Sequence, residues 1–314
     1  MNKNSGGNCS ALLITVTCNT FCGLLPLYWR MLQNVPTVQI VCQRLFWSCL
    51  VLGIVLVCRQ KIKTLALIFK NKKSMASLAL CSLLLASNWL LYLSLINSGQ
   101  LLQASFGIYL YPLLTLTLSI LFLQDRVSLT RLMAVILALA AIFCQIVTNG
   151  GLPWAAVLLA LCTAAYSLLR AMLSVDIIAG FFLETLLAVP FAVFFLFFWQ
   201  ANGTLIFAQA QLSESLSTAL LLAGSGVVTV IPLAFMFRSM QNLKISSINL
   251  IQLIVPSLIF LLGLLAVKEP LIQGLFTSFV LLWAGLALYN LDGIKRDKLL
   301  VKLRKIPDHH KTYE

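Results

Sequence analysis

SSINLIQLIVPSLIFLLGLLA, at residues 246–266, is an apolar stretch of 21 residues without a charged side chain. A helix of roughly 20 apolar residues crosses a hydrocarbon core of ~30 Å, and a helix satisfies its own backbone polar groups there. The stretch therefore predicts a membrane-spanning helix. With nine similar stretches, the predicted spans are 10–29, 37–57, 74–95, 104–124, 131–148, 153–172, 177–199, 218–239, 246–266 and 271–291.

Composition favours the same class of protein. Of the 314 residues, 61% are apolar and 10% are charged. A soluble fold of this size would lack the polar side chains needed to cover its surface. We therefore predict an all-α integral membrane protein with ten transmembrane helices.

The distribution of basic residues predicts how the chain is oriented in the membrane. With the N-terminus in the cytoplasm, cytoplasmic segments hold nineteen of the 22 lysines and arginines, while Arg30 and Lys268 lie outside and Arg44 lies within a span. This asymmetry follows the positive-inside rule for an even number of crossings. The net charge of +13 therefore indicates topology rather than nucleic-acid binding. We expect a multi-pass protein of the plasma membrane, the bacterial inner membrane, with both termini cytoplasmic.

No cofactor and no metal site are predicted. The nine cysteines all lie in the first 162 residues, mainly in apolar stretches, without a CxxC pair or a nearby histidine. Buried cysteines of this kind behave as small hydrophobic side chains.

A repeated spacing of proline and acid divides the chain into two halves. Pro112 precedes Asp125 by thirteen residues at the end of the fourth span, and Pro256 precedes Glu269 by thirteen at the end of the ninth. The two pairs are offset by 144 residues. Each half then contains five spans. Because five is odd, the second half must be inverted relative to the first, as in many carriers.

A second offset supports the same division. A shift of 140 residues carries Arg30 onto Arg170 and Arg44 onto Glu184. The predicted organisation is an N-terminal five-helix repeat at 1–150, a C-terminal five-helix repeat at 151–292 and a basic cytoplasmic tail at 293–314.

Arg44 and Glu184 are the charged residues well within the predicted spans, each ~10 Å from the nearer surface at 1.5 Å per residue. A charge at such depth costs roughly 2.5–3.5 kcal/mol on insertion scales and usually faces a cavity or a partner. Gly180 and Ala188 lie one turn either side of Glu184 and leave room beside its carboxylate. Two interpretations stay open: an ion pair between the two charges that fixes helix packing, or a site that handles substrate or protons.

Polar and aromatic side chains inside the spans extend the set of candidate substrate-binding residues. With the two charges, the candidates are Arg44, Glu184, Asn88, Trp89, Tyr109, Tyr111, Asn249 and Gln252. Proline removes a backbone hydrogen bond, so helix bends are expected at four positions, Pro26, Pro112, Pro232 and Pro256. Interfacial aromatic belts and interhelical hydrogen bonds are alternative roles for these polar and aromatic side chains.

Motifs over nearly the whole chain resemble one family. They are GLLPLYWR at 23–30, VPTVQIVCQRLFWS at 35–48, SNWLLYLSLIN at 87–97, ASFGIYLYPL at 104–113, AYSLLR at 165–170, ETLLAVP at 184–190, VTVIPL at 228–233 and INLIQLIVPSLIFLL at 248–262. The chain is similar to the EamA-like branch of the drug/metabolite transporter superfamily, and within it to the RarD-type members, named for a link to chloramphenicol sensitivity. The resemblance implies a ten-helix inner-membrane carrier of small metabolites, with inverted five-helix repeats around a central cavity lined mainly by spans one to four and six to nine.

The second span departs from the pattern of this family. RarD-type sequences usually carry an acidic residue and a histidine where this chain has Gln39 and Gln43. Amides do not titrate, so the resemblance does not imply proton coupling through the second span.

The function we expect is a secondary transporter that moves a small polar or amphipathic metabolite, amino-acid-like or drug-like, by alternating access. A membrane scaffold or assembly protein without transport activity is the alternative. An intramembrane enzyme is disfavoured, because the spans offer one arginine and one glutamate rather than a nucleophile with its base. The expected partners are a small-molecule substrate and membrane lipids, without nucleic acid, and a homodimer stays open.

Overall fold

The computed structural model describes residues 4–60, 62–123, 128–202, 212–241, 243 and 245–304, and these ranges contain helices and no strand. In chain order the elements are α1 (Asn4–Arg30), α2 (Thr37–Cys58), α3 (Ile62–Lys70), α4 (Lys72–Asn97), α5 (Leu101–Leu123), α6 (Leu129–Asn149), α7 (Trp154–Met172), α8 (Ile177–Ala201), α9 (Leu212–Met240), α10 (Ile245–Gln252), α11 (Ile254–Leu262), a π-helical turn (Gly263–Val267) and α12 (Gln273–Arg304).

The prediction of ten membrane-spanning helices is confirmed. Ten stretches of the described helices are long and apolar enough to cross a bilayer, and their ends differ from the predicted ends by no more than four residues. The agreement has a simple cause, because the absence of water in the bilayer forces one long apolar helix per crossing.

The short helix α3 was not predicted. Its nine residues are too few to cross a bilayer. Ile68 of α3 is buried in one apolar cluster with Leu56, Leu78 and Leu183, and α3 packs on α4. Asn71 follows directly and begins α4, because its side-chain oxygen accepts a hydrogen bond from a backbone N–H one turn later.

Among the described spans, the ninth is interrupted within its length. Helix α10 ends at Gln252 and α11 begins at Ile254, two residues before Pro256. A proline ring clashes with the carbonyl group four residues earlier, which here belongs to Gln252. The other three prolines proposed as bends, Pro26, Pro112 and Pro232, lie inside helices that run on without a break.

The packing of the helices pairs the two halves in a regular way. Helix α4 packs on α7 and α8, and the corresponding helix of the second half, α9, packs on α1 and α2. Likewise α5 packs on α7, and α11 packs on α1, while α2 pairs with α8 and α6 with α12. Exchanging the first five spans with the last five reproduces these contacts. The pattern is the one expected of inverted repeats, which stay a prediction for this chain.

Glu269 ties the end of the ninth span to the start of α5. Its two carboxylate oxygens accept hydrogen bonds from the backbone N–H groups of Leu101 at 2.5 Å and Leu102 at 3.0 Å. Burial raises the pKa of Glu269, while these two N–H groups and Arg30 act in the opposite direction. Asp125, its counterpart in the sequence repeat, lies outside the described residues.

Part of the predicted basic tail is a continuation of the last helix. Helix α12 runs to Arg304, so residues 293–304 of the tail extend the tenth span without a break. Residues 305–314 lie outside the described ranges.

Candidate functional site

A cavity of about 580 Å³ lies where α4, α5, α7, α8 and α9 meet. Its polar wall comes mainly from α7, whose Thr163, Tyr166, Ser167 and Arg170 all line it. Thr163 lies three and four positions before Tyr166 and Ser167, and Arg170 lies four and three positions after them, so the sequence places all four on one face of the helix. Their common face is what makes this wall polar in an otherwise apolar bundle.

Other parts of the cavity lining are aromatic and aliphatic. Trp89 and Phe181 line the cavity, with ring centroids 6.3 Å apart in an edge-to-face arrangement. Asn88 also lines the cavity, and its amide donates a hydrogen bond of 2.6 Å to the hydroxyl oxygen of Thr163. The structure therefore places two predicted site residues, Asn88 and Trp89, at this cavity.

Glu184 lies behind the polar wall and is fully buried. The hydroxyl of Tyr166 donates to its Oε2 at 2.8 Å, and the Nε of Arg170 lies 3.4 Å from its Oε1. The room predicted beside this carboxylate is filled by the arginine, because a Cβ atom on Gly180 would collide with the guanidinium group. Glycine at this position lets Arg170 reach the carboxylate.

The ion pair considered between Arg44 and Glu184 is not formed. Glu184 pairs with Arg170 instead, because Arg170 lies on the last turn of α7 and its long side chain reaches inward. The positive-inside rule alone counts Arg170 among the basic residues at the cytoplasmic boundary. The signal that could have identified the pair is the helical spacing from Tyr166 to Arg170 on α7.

Arg44 is held by aromatic rings. Its guanidinium carbon lies 3.9 Å from the ring centroid of Trp89 and 4.8 Å from that of Trp29, and its Nε donates to Thr229 at 3.0 Å. The faces of two indole rings attract the cation. Arg44 is 7% exposed, and its Nη1 is buried without a hydrogen-bond partner among the described residues. Trp89 thus faces the cavity while its ring also contacts Arg44.

A second, smaller cavity of about 240 Å³ lies beside the first. Tyr111 and Ser167 line both cavities, and Asn249 and Gln252 line the smaller one beside Pro256. The hydroxyl of Tyr111 donates to the side-chain oxygen of Gln252 at 3.3 Å. Three further predicted site residues, on α5 and α10, are therefore brought together.

Two polar residues of α12 were missed by the sequence analysis. Tyr289 and Asn290 line the smaller cavity, although the tenth span is poor in strongly polar side chains. They are adjacent in the sequence and lie at the end of the predicted span 271–291, where polar side chains are expected at the membrane surface.

Tyr109 lines neither of these two cavities but a third one, of about 710 Å³. Its hydroxyl is 2.6 Å from the hydroxyl of Ser257, and its ring packs edge-on against Phe279 and Trp283. On a helix, two residues two positions apart point in nearly opposite directions. Tyr109 and Tyr111 therefore cannot line the same face of α5.

Comparison with known proteins places this chain in a family. Residues 10–147 match the EamA-like transporter family. An uncharacterized transporter of Pseudomonas aeruginosa is 31% identical over 94% of this chain and 96% of its own length. Protein RarD of Salmonella typhi is 31% identical over 90% of this chain and 95% of its own length. The chain belongs to the EamA-like transporter family.

The resemblance inferred from the motifs is thereby confirmed, and so is the class of protein. Protein RarD of Escherichia coli is 30% identical to this EamA-like chain over 90% of its length. One solved crystal structure is 18% identical in sequence to this chain. The superposition covers 90% of this chain and 98% of the solved chain, and its TM-score of 0.56 shows a similar fold. This EamA-like protein is a multi-pass membrane transporter rather than an enzyme.

Proposed function

We propose that this EamA-like protein is a secondary transporter of the bacterial inner membrane that moves a small amphipathic metabolite by alternating access. The observation that carries the proposal is the position of the 580 Å³ cavity, whose wall joins α4 and α5 of the first half to α7, α8 and α9 of the second. A relative movement of the halves would therefore open the cavity to one side of the membrane and close it to the other.

The lining of the cavity agrees with an amphipathic substrate. Its volume falls within the ~300–1,000 Å³ that is usual for small-molecule sites. Within the lining, Arg170 and Ser167 offer a charged and a polar contact, and Trp89 and Phe181 offer apolar rings. A molecule with a polar head and an apolar body satisfies both kinds of contact.

Two features of the helices support alternating access. The most extensive contacts between helices are reproduced when the two halves are exchanged. The ninth span is interrupted at Leu253, which lines the smaller cavity. Interrupted helices beside the central cavity are typical of carriers with inverted repeats.

Filling the junction of the two cavities should block transport. Ser167 lines both cavities, so Ser167→Trp is expected to abolish release from vesicles preloaded with a panel of labelled amino acids and other small metabolites. Release is measured by mass spectrometry for the wild type and the variant. Ser98→Trp, at the exposed end of α4, is the matched control and should transport normally.

The outcomes separate a transporter from a scaffold. If the wild type releases no member of the panel, or if Ser167→Trp releases the same metabolites at the same rate, the proposed path is wrong. A melting temperature close to that of the wild type must accompany the loss, because a misfolded variant would also fail to transport.

The orientation of the chain can be tested by labelling in a variant without native cysteines. We expect Asn202→Cys to react with a membrane-impermeant maleimide in intact cells, and Lys73→Cys to react after permeabilisation only. Both positions are exposed in the structure. The expectation rests on the excess of basic residues in the proposed cytoplasmic segments. Labelling of Lys73→Cys in intact cells would reverse the topology.

A further inference from the structure

We propose that Arg170 binds an anionic group of the substrate and that Glu184 takes up one proton when it does, so that the carrier moves an anion together with a proton. The proposal rests on the proposed function and adds the chemical class of the substrate and the coupling ion. It concerns the cluster formed by Tyr166 and Arg170 of α7 and Glu184 of α8.

The guanidinium group of Arg170 has one nitrogen without a hydrogen-bond partner among the described residues. Its Nε faces Glu184 at 3.4 Å, and its Nη2 donates to the carbonyl oxygen of Ile177 at 3.2 Å. Its Nη1 has no hydrogen-bond partner among the described residues. An arginine fork recognises carboxylates, sulfonates and phosphates through such N–H groups. Because Arg170 lines the cavity, an anion that enters it meets a positive charge. Nη1 is buried against Gly180 in the empty site, so the guanidinium group must turn toward the cavity to offer this donor to the anion.

The carboxylate of Glu184 is incompletely satisfied as well. Its Oε2 accepts a hydrogen bond from Tyr166, but its Oε1 is buried without a hydrogen-bond partner among the described residues. At 3.4 Å with poor alignment, the contact from Oε1 to Arg170 is an ion pair and not a hydrogen bond. Oε1 is thus the oxygen that is free to receive a proton.

The charges around Glu184 determine when its carboxylate requires a proton. The titratable groups that face it are Tyr166 and Arg170 from α7 and Cys81 from α4, while Cys49 from α2 hydrogen-bonds the residue after it. Within the described residues, Arg170 is therefore the one cation of the cluster. With Arg170 positive and Glu184 negative, the empty site carries no net charge.

Binding of an anion would upset this balance. An anion on Arg170 would give the buried cluster a net charge of about −1, and an uncompensated charge inside a membrane protein is costly. One proton from water, added to Oε1 of Glu184, restores neutrality while Tyr166 continues to donate to Oε2. No other bond forms or breaks. Release of the anion returns Arg170 to Glu184, and the proton leaves to water on the same side.

A strong-acid ligand provides a test that does not depend on knowing the natural substrate. Naphthalene-2-sulfonate stays ionised at all accessible pH values, so any proton taken up on its binding must go to the protein. Purified protein in lipid nanodiscs is titrated with the probe in weakly buffered solution at neutral pH. Calorimetry measures binding, and a pH indicator measures proton uptake. We expect about one proton per bound sulfonate, by linkage, and no uptake with the neutral naphthalene-2-sulfonamide.

Two variants separate the roles of the two residues. Glu184→Gln should bind naphthalene-2-sulfonate without proton uptake, and Arg170→Gln should weaken binding by about tenfold or more. Arg131→Gln and Asp292→Asn, which disrupt a separate ion pair of 2.7 Å between α6 and α12, are the matched controls and should keep both binding and uptake. If Arg170→Gln does not fold, Arg170→Gln combined with Glu184→Gln replaces it, since neutralising both leaves no unpaired charge.

The results distinguish the failure of this inference from that of the transport proposal. Binding of the sulfonate without proton uptake by the wild type, or uptake that persists in Glu184→Gln, overturns the proton step. Binding by Arg170→Gln as tight as the wild type, or no binding to the wild type at millimolar sulfonate, overturns the anion site. None of these binding results requires transport, which the Ser167→Trp experiment tests separately.

Discussion

Replacement of Arg170 by methionine is expected to lower the free energy of unfolding by about 3–5 kcal/mol at an alkaline pH that keeps Glu184 ionised, the range measured when one partner of a buried pair is removed. Glu184 has no exposed surface, so its carboxylate would lose its counter-charge in the interior of the bundle. Neutralising both partners, as in Arg170→Met with Glu184→Gln, should recover most of the loss, because the two residues interact directly.

Equilibrium unfolding of the two single variants and the double variant in detergent measures these differences. Arg59→Met, at an exposed position after α2, controls for the loss of a positive charge and should change stability by no more than about 0.5 kcal/mol. If Arg170→Met were as stable as the wild type, the pair would not contribute to the fold. If the double variant were as unstable as both single losses combined, the coupling between the two residues would be absent.

The ten spans could be predicted from the sequence because each depends on one local property. Twenty apolar residues have to form a helix in a bilayer whatever surrounds them, so no tertiary contact enters the prediction. The short helix α3 shows the limit of that reasoning. Ile68 is buried because Leu78 and Leu183 come from other helices to cover it, and such contacts leave no mark on the local sequence.

The candidate site could be predicted in part. Asn88, Trp89, Tyr111, Asn249 and Gln252 line the two adjoining cavities, because polar side chains in a membrane are placed where protein rather than lipid surrounds them. Helical phase alone separates Tyr109 from that set, since it lies two residues from Tyr111 and points to Phe279 and Trp283.

The partners of the two charges required the structure. A position in the sequence gives the depth of a Cα atom, whereas the side chain of Arg170 extends several ångströms from the helix end toward Glu184. The environment of Arg44 could not be read from the chain either. Trp29 and Trp89 belong to different helices, and only their packing in space brings both rings to one guanidinium group.

Gly226→Ala is expected to lower the free energy of unfolding by about 1–3 kcal/mol, the usual cost of overpacking a tight contact. A Cβ atom on Gly226 would lie 2.5 Å from the carbonyl carbon of Trp47, 2.6 Å from its oxygen and 2.8 Å from the backbone nitrogen of Ser48. These are backbone atoms of a helix and cannot move aside as a side chain can. The variant must therefore push α9 away from α2.

Moving α9 away from α2 would also disturb the wall of the cavity. Thr229 lies almost one turn after Gly226 on α9 and accepts the hydrogen bond from Arg44 of α2, so the 3.0 Å contact should break and loosen Trp89. Gly293→Ala in α12 is the matched control, since nothing lies within 4 Å of its added methyl group. Alanine there should stabilise the helix by roughly 0.5–1 kcal/mol. Unfolding midpoints that fall equally in both variants would mean that α2 and α9 are not in close contact at Gly226.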